Sequence, residues 1–218
     1  MAKAFGPTRW LGITILLACA CLRETEAPPA ACSATDAGPV IQAPPTAPRR
    51  GSAAARLTMV EFADFQCPYC GAAEPTVRQV LDSYPNDVVL AFVNLPLTMH
   101  ENALRAAEAF LAAGRQNMGW EMHDQMFGHQ QALADTDLDQ YALAIGLDLV
   151  QFDADRASPE IASQVAQDKA FAISLGLDST PSFAIACHWL VGSQPFSEFQ
   201  KIIDAELAAI PDAAALPP

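Results

Sequence analysis

Cys67-Pro68-Tyr69-Cys70 is the feature that most constrains what this chain can fold into. It follows directly on Leu57-Thr58-Met59-Val60-Glu61-Phe62-Ala63-Asp64, an apolar run of β-formers that reads as a buried strand. Pro68 stands where the first turn of a helix tolerates proline, so a helix is predicted to run from there to about Tyr84, kinked at Pro75. Cys67 then sits at a helix N-terminus, whose free N–H groups and partial positive charge favour a thiolate. Cys70 lies one turn on, on the same face, within reach for a disulfide. The thiolate is the nucleophile of disulfide exchange, so a mixed disulfide on Cys67 can be resolved by Cys70. A lone pair of this spacing also occurs as half of a zinc site, but zinc needs about four ligands and no second pair is in view. A purely structural disulfide is the remaining alternative.

Val88 to Leu95 is a second apolar run, ended by Pro96. From residue 100 to 175 the apolar spacing turns helical, predicting helices over 101–113, 118–128, 137–145, 149–157 and 159–175. Strands return at 182–186 and 188–191, and a last helix spans 195–209, with Phe199, Ile202, Ile203 and Leu207 on one face. Strands alternating with helices predict an α/β layer architecture, with the helical block inserted between the two halves of the sheet. Met118, Met122 and Met126 repeat at helical spacing near His123 and His129. A soft-metal site for copper is conceivable there, but such a stripe reads first as core packing. His100 reads as the start of a helix, with a place in the substrate groove as the alternative.

Thr180-Pro181 follows a loop and precedes a strand. A cis proline there would expose the Thr180 backbone for β-type pairing with an extended substrate, and an ordinary trans turn is the alternative. Together, Glu61-Phe62-x-x-Phe65-x-Cys67-Pro68-Tyr69-Cys70, the helical insertion and Thr180-Pro181-Ser182-Phe183 resemble the DsbA-like branch of the thioredoxin superfamily. Val191-Gly192-Ser193-Gln194-Pro195-Phe196 resembles that branch's usual entry into its last helix.

The resemblance covers about residues 57–208 and implies a thioredoxin fold with an inserted helical domain, about 98–176. It makes Pro181 the cis proline, Cys67 the attacking thiol and Cys70 the resolving one. Thr180, Pro181, Pro68 and Tyr69 become the substrate-facing residues. It also places Glu61 beneath the thiols, where a buried carboxylate could exchange a proton with Cys70; the alternative is an edge-strand Glu facing water. Cys187 departs from the pattern. It reads as a half-buried thiol at a hairpin turn, with pairing to Cys32, Cys21 or a partner as the alternative.

The first 20 residues read as an export signal. Lys3 and Arg9 precede the apolar run Trp10 to Ala20, too short for a membrane span. Leu16-Leu17-Ala18-Cys19 resembles a bacterial lipobox, which would make Cys19 a lipidated N-terminus; cleavage without a lipid is the alternative. Residues 21–55, rich in Pro and Ala, read as a flexible tether before a domain over 56–210, and 211–218 as a frayed tail. An exported chain occupies a compartment where disulfides persist, here the periplasm or cell envelope.

Residues 51–218 hold seven Lys/Arg against 22 Asp/Glu, which excludes nucleic acid and anionic membrane surfaces as natural partners. The only membrane contact expected is through the lipid. The expected partners are thiols or disulfides of exported proteins and a redox partner protein. The chemistry needs only two sulfurs, so no cofactor is expected. The proline-rich tether does not resemble a dimerisation domain, so a monomer is expected. Two other classes stay open: a non-catalytic peptide-binding module of the same fold, and a soft-metal carrier.

Overall fold

In the computed structural model, which describes Met1, Cys32 and residues 39–210, five strands form one sheet. They are β1 (Arg49–Gly51), β2 (Leu57–Ala63), β3 (Val88–Asn94), β4 (Ser182–Ile185) and β5 (His188–Val191), in the order β1-β3-β2-β4-β5. The near-continuous apolar sequences of β2 and β3 reflect their place. They pair in parallel, Leu57 beside Val88 through Ala63 beside Asn94, in a sheet covered on both faces. The other pairings are antiparallel.

One face carries α1 (Pro68–Ser83) and α7 (Phe196–Ala209). Their Ala73, Val77, Val80, Phe199, Ile202 and Ile203 pack on Leu57, Met59, Leu90, Phe183 and Ile185. Val60, Phe62, Ala91 and Val93 point the other way, toward Phe171 and Ala172 of a later helix. Side chains alternate along a strand, so Glu61 follows Leu57 and Met59 onto the face that α1 covers.

Between β3 and β4 stand α2 (Ala103–Arg115), α3 (Gly119–Gly128), α4 (Asp135–Ala144), α5 (Leu149–Arg156) and α6 (Pro159–Ser174). Local chemistry starts two of them. The Asp148 carboxylate accepts the Gln151 N–H, and the Ser158 hydroxyl accepts the Ile161 N–H just before Pro159. The block is joined to the sheet by Phe65, Phe92 and Phe110, whose ring centroids lie 5.1–5.5 Å apart. Each such ring fully buried contributes about 1.5–3 kcal/mol. This aromatic cluster also contains Cys67 and Cys70, so the thiols sit on the seam between sheet and helical block.

Several expectations need correction. The ordered domain begins before Leu57: β1 pairs with β3, Ala47 is buried, and the Ile41 N–H bonds to the Ala186 carbonyl. The C-terminal part of the expected tether is therefore the sheet's edge. Cys187 is not a free thiol but is bonded to Cys32. His100 does not begin a helix, because α2 starts at Ala103. Met122 and Met126 are fully buried, which places them in the core. The helix passes through Pro75 and ends at Ser83. The expected signal segment beyond Met1, the lipobox Cys19 and the tail 211–218 lie outside the described residues.

Candidate active site

β2 delivers the chain to the site, and Asp64 turns it. The Asp64 carboxylate accepts the Gln66 N–H at 2.7 Å, an Asx turn, while the Asp64 carbonyl accepts the Cys67 N–H at 3.0 Å. The turn sets Cys67 as the N-cap of α1 with Pro68 in the first helical position. Pro68 and Tyr69 are exposed, Tyr69 at 67%. Cys67 lies just under the surface at 4% exposure and Cys70 is fully covered at 0%. Both are free thiols.

The two thiols are electrostatically unequal. The Cys67 thiol is lowered to about 5, chiefly because the Cys70 thiol donates a hydrogen bond to its sulfur. Burial opposes this, and Thr180 and the backbone N–H groups of Cys70 and Tyr69 add to the lowering. Burial pushes the Cys70 thiol far above its ordinary range, and its role as donor to Cys67 pushes the same way. The Asp64 N–H lies 3.5 Å from Cys70 Sγ.

The loop before β4 closes the site from the far end of the sequence. Thr180–Pro181 is a cis peptide, and the Thr180 carbonyl oxygen is 3.4 Å from Cys67 Sγ. Both residues are buried, and Thr180 presents its carbonyl to the sulfur. Glu61 lies on the central strand β2, not at an edge, which removes the water-facing alternative. It is fully buried, and among the described residues neither carboxylate oxygen has a hydrogen-bond partner. Burial raises it well above the usual carboxylate range, and the neighbouring Glu74 raises it further. Glu74, one turn after Cys70 on α1, is itself raised by burial, with His123 Nε2 at 3.7 Å.

Four contributors were not visible as site residues in the sequence. Asp64 also accepts the Leu97 N–H and the His100 Nδ1 contact, each at 2.8 Å, so it ties the loop after β3 to the thiol turn. An Asp three residues before a helix-capping Cys is the signal that could have found it. Glu74 stands four residues after Cys70 on α1, a helical spacing that could have found it, whereas Gln130, and His123 otherwise noted only beside the Met stripe, are brought in by tertiary packing. Gln130 Nε2 donates to the Phe65 and Cys67 carbonyls at 2.9 and 2.8 Å and clamps the turn.

Gly71 is the counterpart of that clamp, because a Cβ there would collide with the Gln130 amide oxygen. Gly to Ala in a helix ordinarily gains about 1 kcal/mol. Displacing Gln130 loses two hydrogen bonds at about 1 kcal/mol each. Gly71→Ala is therefore expected to destabilise by about 1 kcal/mol net. In a Gln130→Ala background the same change should stabilise, a reversal that urea denaturation of the four proteins would read.

A family model described as Thioredoxin matches residues 43–205. Among solved structures, a thioredoxin-like oxidoreductase from Silicibacter pomeroyi DSS-3 is 33% identical, with a TM-score of 0.71, covering 77% of this chain and 95% of that one. The thiol-disulfide exchange protein alpha-DsbA2 from Wolbachia pipientis, 21% identical with a TM-score of 0.68, shares the fold over 73% of this chain and 87% of its own. A protein named Na(+)/H(+) antiporter NhaA 3, from Salinispora tropica, is 44% identical over 137 residues, which are 62% of this chain and 21% of that protein. This chain thus spans about a fifth of the length of the antiporter-named relative. Among the described residues, no helix is long and apolar enough to cross a membrane.

Proposed function

The chain belongs to the thioredoxin family, and from that premise we propose that it is a thiol–disulfide oxidoreductase acting on cysteines of exported proteins through Cys67 and Cys70. The observation that carries this reading is the inequality of the two thiols: one held low beside the Thr180 backbone, the other covered and held high. A substrate strand would pair along Thr180 beside Pro181, with Pro68 and Tyr69 forming the exposed rim. The Cys67 thiolate attacks a substrate disulfide, forming a mixed disulfide and releasing one substrate thiolate. Cys70 then loses its proton and attacks the Cys67 sulfur. The second substrate thiolate leaves and the Cys67–Cys70 disulfide remains. The ionised form of Glu61, whose raised carboxyl is the stronger base and is unpaired on the α1 face among the described residues, is the acceptor for the Cys70 proton in this scheme.

The reverse sequence gives a disulfide to a substrate dithiol. A stabilised Cys67 thiolate stabilises the reduced enzyme, which biases the pair toward donating its disulfide. The leader with Lys3, Arg9 and the lipobox Cys19 supports an envelope location, where such donation serves exported proteins. Antiport is not part of this reading, which rests on the dithiol at the cap of α1.

Alkylation tests the reading directly. In the reduced native protein, iodoacetamide is expected to modify Cys67 with a rate that rises through a midpoint near 5 and is flat above it. Cys70 should stay unmodified until the protein is denatured. A Cys67 midpoint in the ordinary thiol range, about 8.5, would remove the proposed nucleophile.

A further inference from the structure

The Cys32–Cys187 bond joins residues 155 positions apart at the β4–β5 hairpin. It lies at the end of β4 away from Pro181, so it is separate from the reacting pair. Two more ligating groups converge on it. His188 Nε2 is 2.9 Å from Glu206 Oε1, and the same oxygen accepts the Cys32 N–H at 2.7 Å. The Cys187 N–H donates to Cys32 Sγ at 2.9 Å. One donor atom from each of Cys32, Cys187, His188 and Glu206 lies within 4.8 Å of every other.

A crosslink requires neither an imidazole nor a buried carboxylate beside it. Glu206 is a buried acid on α7 whose side chain is only 8% exposed; its Oε1 is held by the Cys32 N–H and His188 Nε2, and a carboxylate oxygen lies within 4.8 Å of both sulfurs. Two thiolates, one imidazole nitrogen and one carboxylate oxygen make a borderline-soft tetrahedral set. Zinc bonds of about 2.0–2.3 Å put neighbouring ligand atoms roughly 3.5 Å apart, within the spread these four residues already show.

We propose that Cys32, Cys187, His188 and Glu206 form a redox-gated zinc site, closed to metal when the crosslink is intact and binding one Zn²⁺ when it is reduced. A dithiol reductant supplies two electrons and two protons, cleaving the S–S bond to two thiols and itself becoming a disulfide. Zinc then takes both sulfurs as thiolates and two protons leave. His188 binds through Nε2, giving up its contact with Glu206, and Glu206 turns its oxygen to the metal. Either crosslink or zinc then fastens Cys32 to the hairpin and α7.

The test uses the full chain with Cys19, Cys21, Cys67 and Cys70 replaced by serine, so that Cys32 and Cys187 are the only sulfhydryls. The oxidised protein and the protein reduced with a phosphine are each offered Zn²⁺ and analysed by native mass spectrometry. One zinc per chain is expected after reduction and none before. Zinc should also protect both thiols from alkylation. His188→Ala, and His188→Gln as a polar replacement if the first is unstable, should weaken binding at least about tenfold, since losing an outer partner alone costs that much. Equal uptake by oxidised and reduced protein, no uptake after reduction, or undiminished binding in the folded His188 variant would each overturn the proposal.

Discussion

Cys67→Ser is expected to drop catalysed reduction of insulin disulfides by at least about 10³-fold, to the rate without enzyme, because it removes the group that starts both half-reactions. Cys70→Ser is expected to fail differently. Its Cys67 still attacks, so a mixed disulfide with substrate should accumulate to one per chain and be visible by mass spectrometry under non-reducing conditions. The structure adds a finer contrast. The largest cause of the low Cys67 value is the hydrogen bond from the Cys70 thiol. A serine hydroxyl can still donate to the Cys67 sulfur, whereas alanine cannot. The alkylation midpoint of Cys67 should therefore stay near the wild-type value in Cys70→Ser and move upward in Cys70→Ala. Equal insulin-reduction rates for wild type and Cys67→Ser would leave only the peptide-binding reading of this groove.

That contrast could not be drawn from the sequence, although its premises could. The strand before Cys67 and the helix after it were legible because each depends on local chemistry, while the cis bond before Pro181 was legible only through the family resemblance, the local residues leaving a trans turn open. The helical block was legible because its apolar positions recur at helical spacing, and its boundaries moved by at most two residues. β1 was not legible: Arg49-Arg50-Gly51 has no apolar alternation and is a strand only because β3 offers it an edge. Trp120 and Asp124 hold it from outside, through the Arg49 carbonyl and the Arg50 guanidinium. The Cys32–Cys187 pairing was one of several open partnerships, since nothing within a few residues of either cysteine points to the other. Gln130 was missed as a site residue, and His100 was offered only as an alternative groove residue, for the same reason. Their partners, the Cys67 carbonyl and the Asp64 carboxylate, are brought to them by packing between the block and the sheet.

Glu61→Gln should alter both how stability depends on pH and how fast the mixed disulfide is resolved. Burial raises the Glu61 carboxyl well above the usual range, while in the unfolded chain it titrates near 4.3. Between those two values the folded protein holds a proton that the unfolded chain has released. The unfolded state therefore binds fewer protons, and stability falls as pH rises through that window. The loss is about 1.4 kcal/mol per pH unit for one such group. Glu74 and Asp168, also raised by burial, contribute with the same sign, so the wild-type slope should be steep. Glu61→Gln removes one group's share, and urea denaturation from pH 4.5 upward should show a slope shallower by about 1.4 kcal/mol per unit. Gln also cannot take a proton from Cys70, so the lifetime of the mixed disulfide should lengthen by up to about 10²-fold. A shallower slope with an unchanged lifetime would leave Glu61 as a buried acid without a part in resolution. An unchanged slope would mean that water reaches the carboxylate through the α1 face.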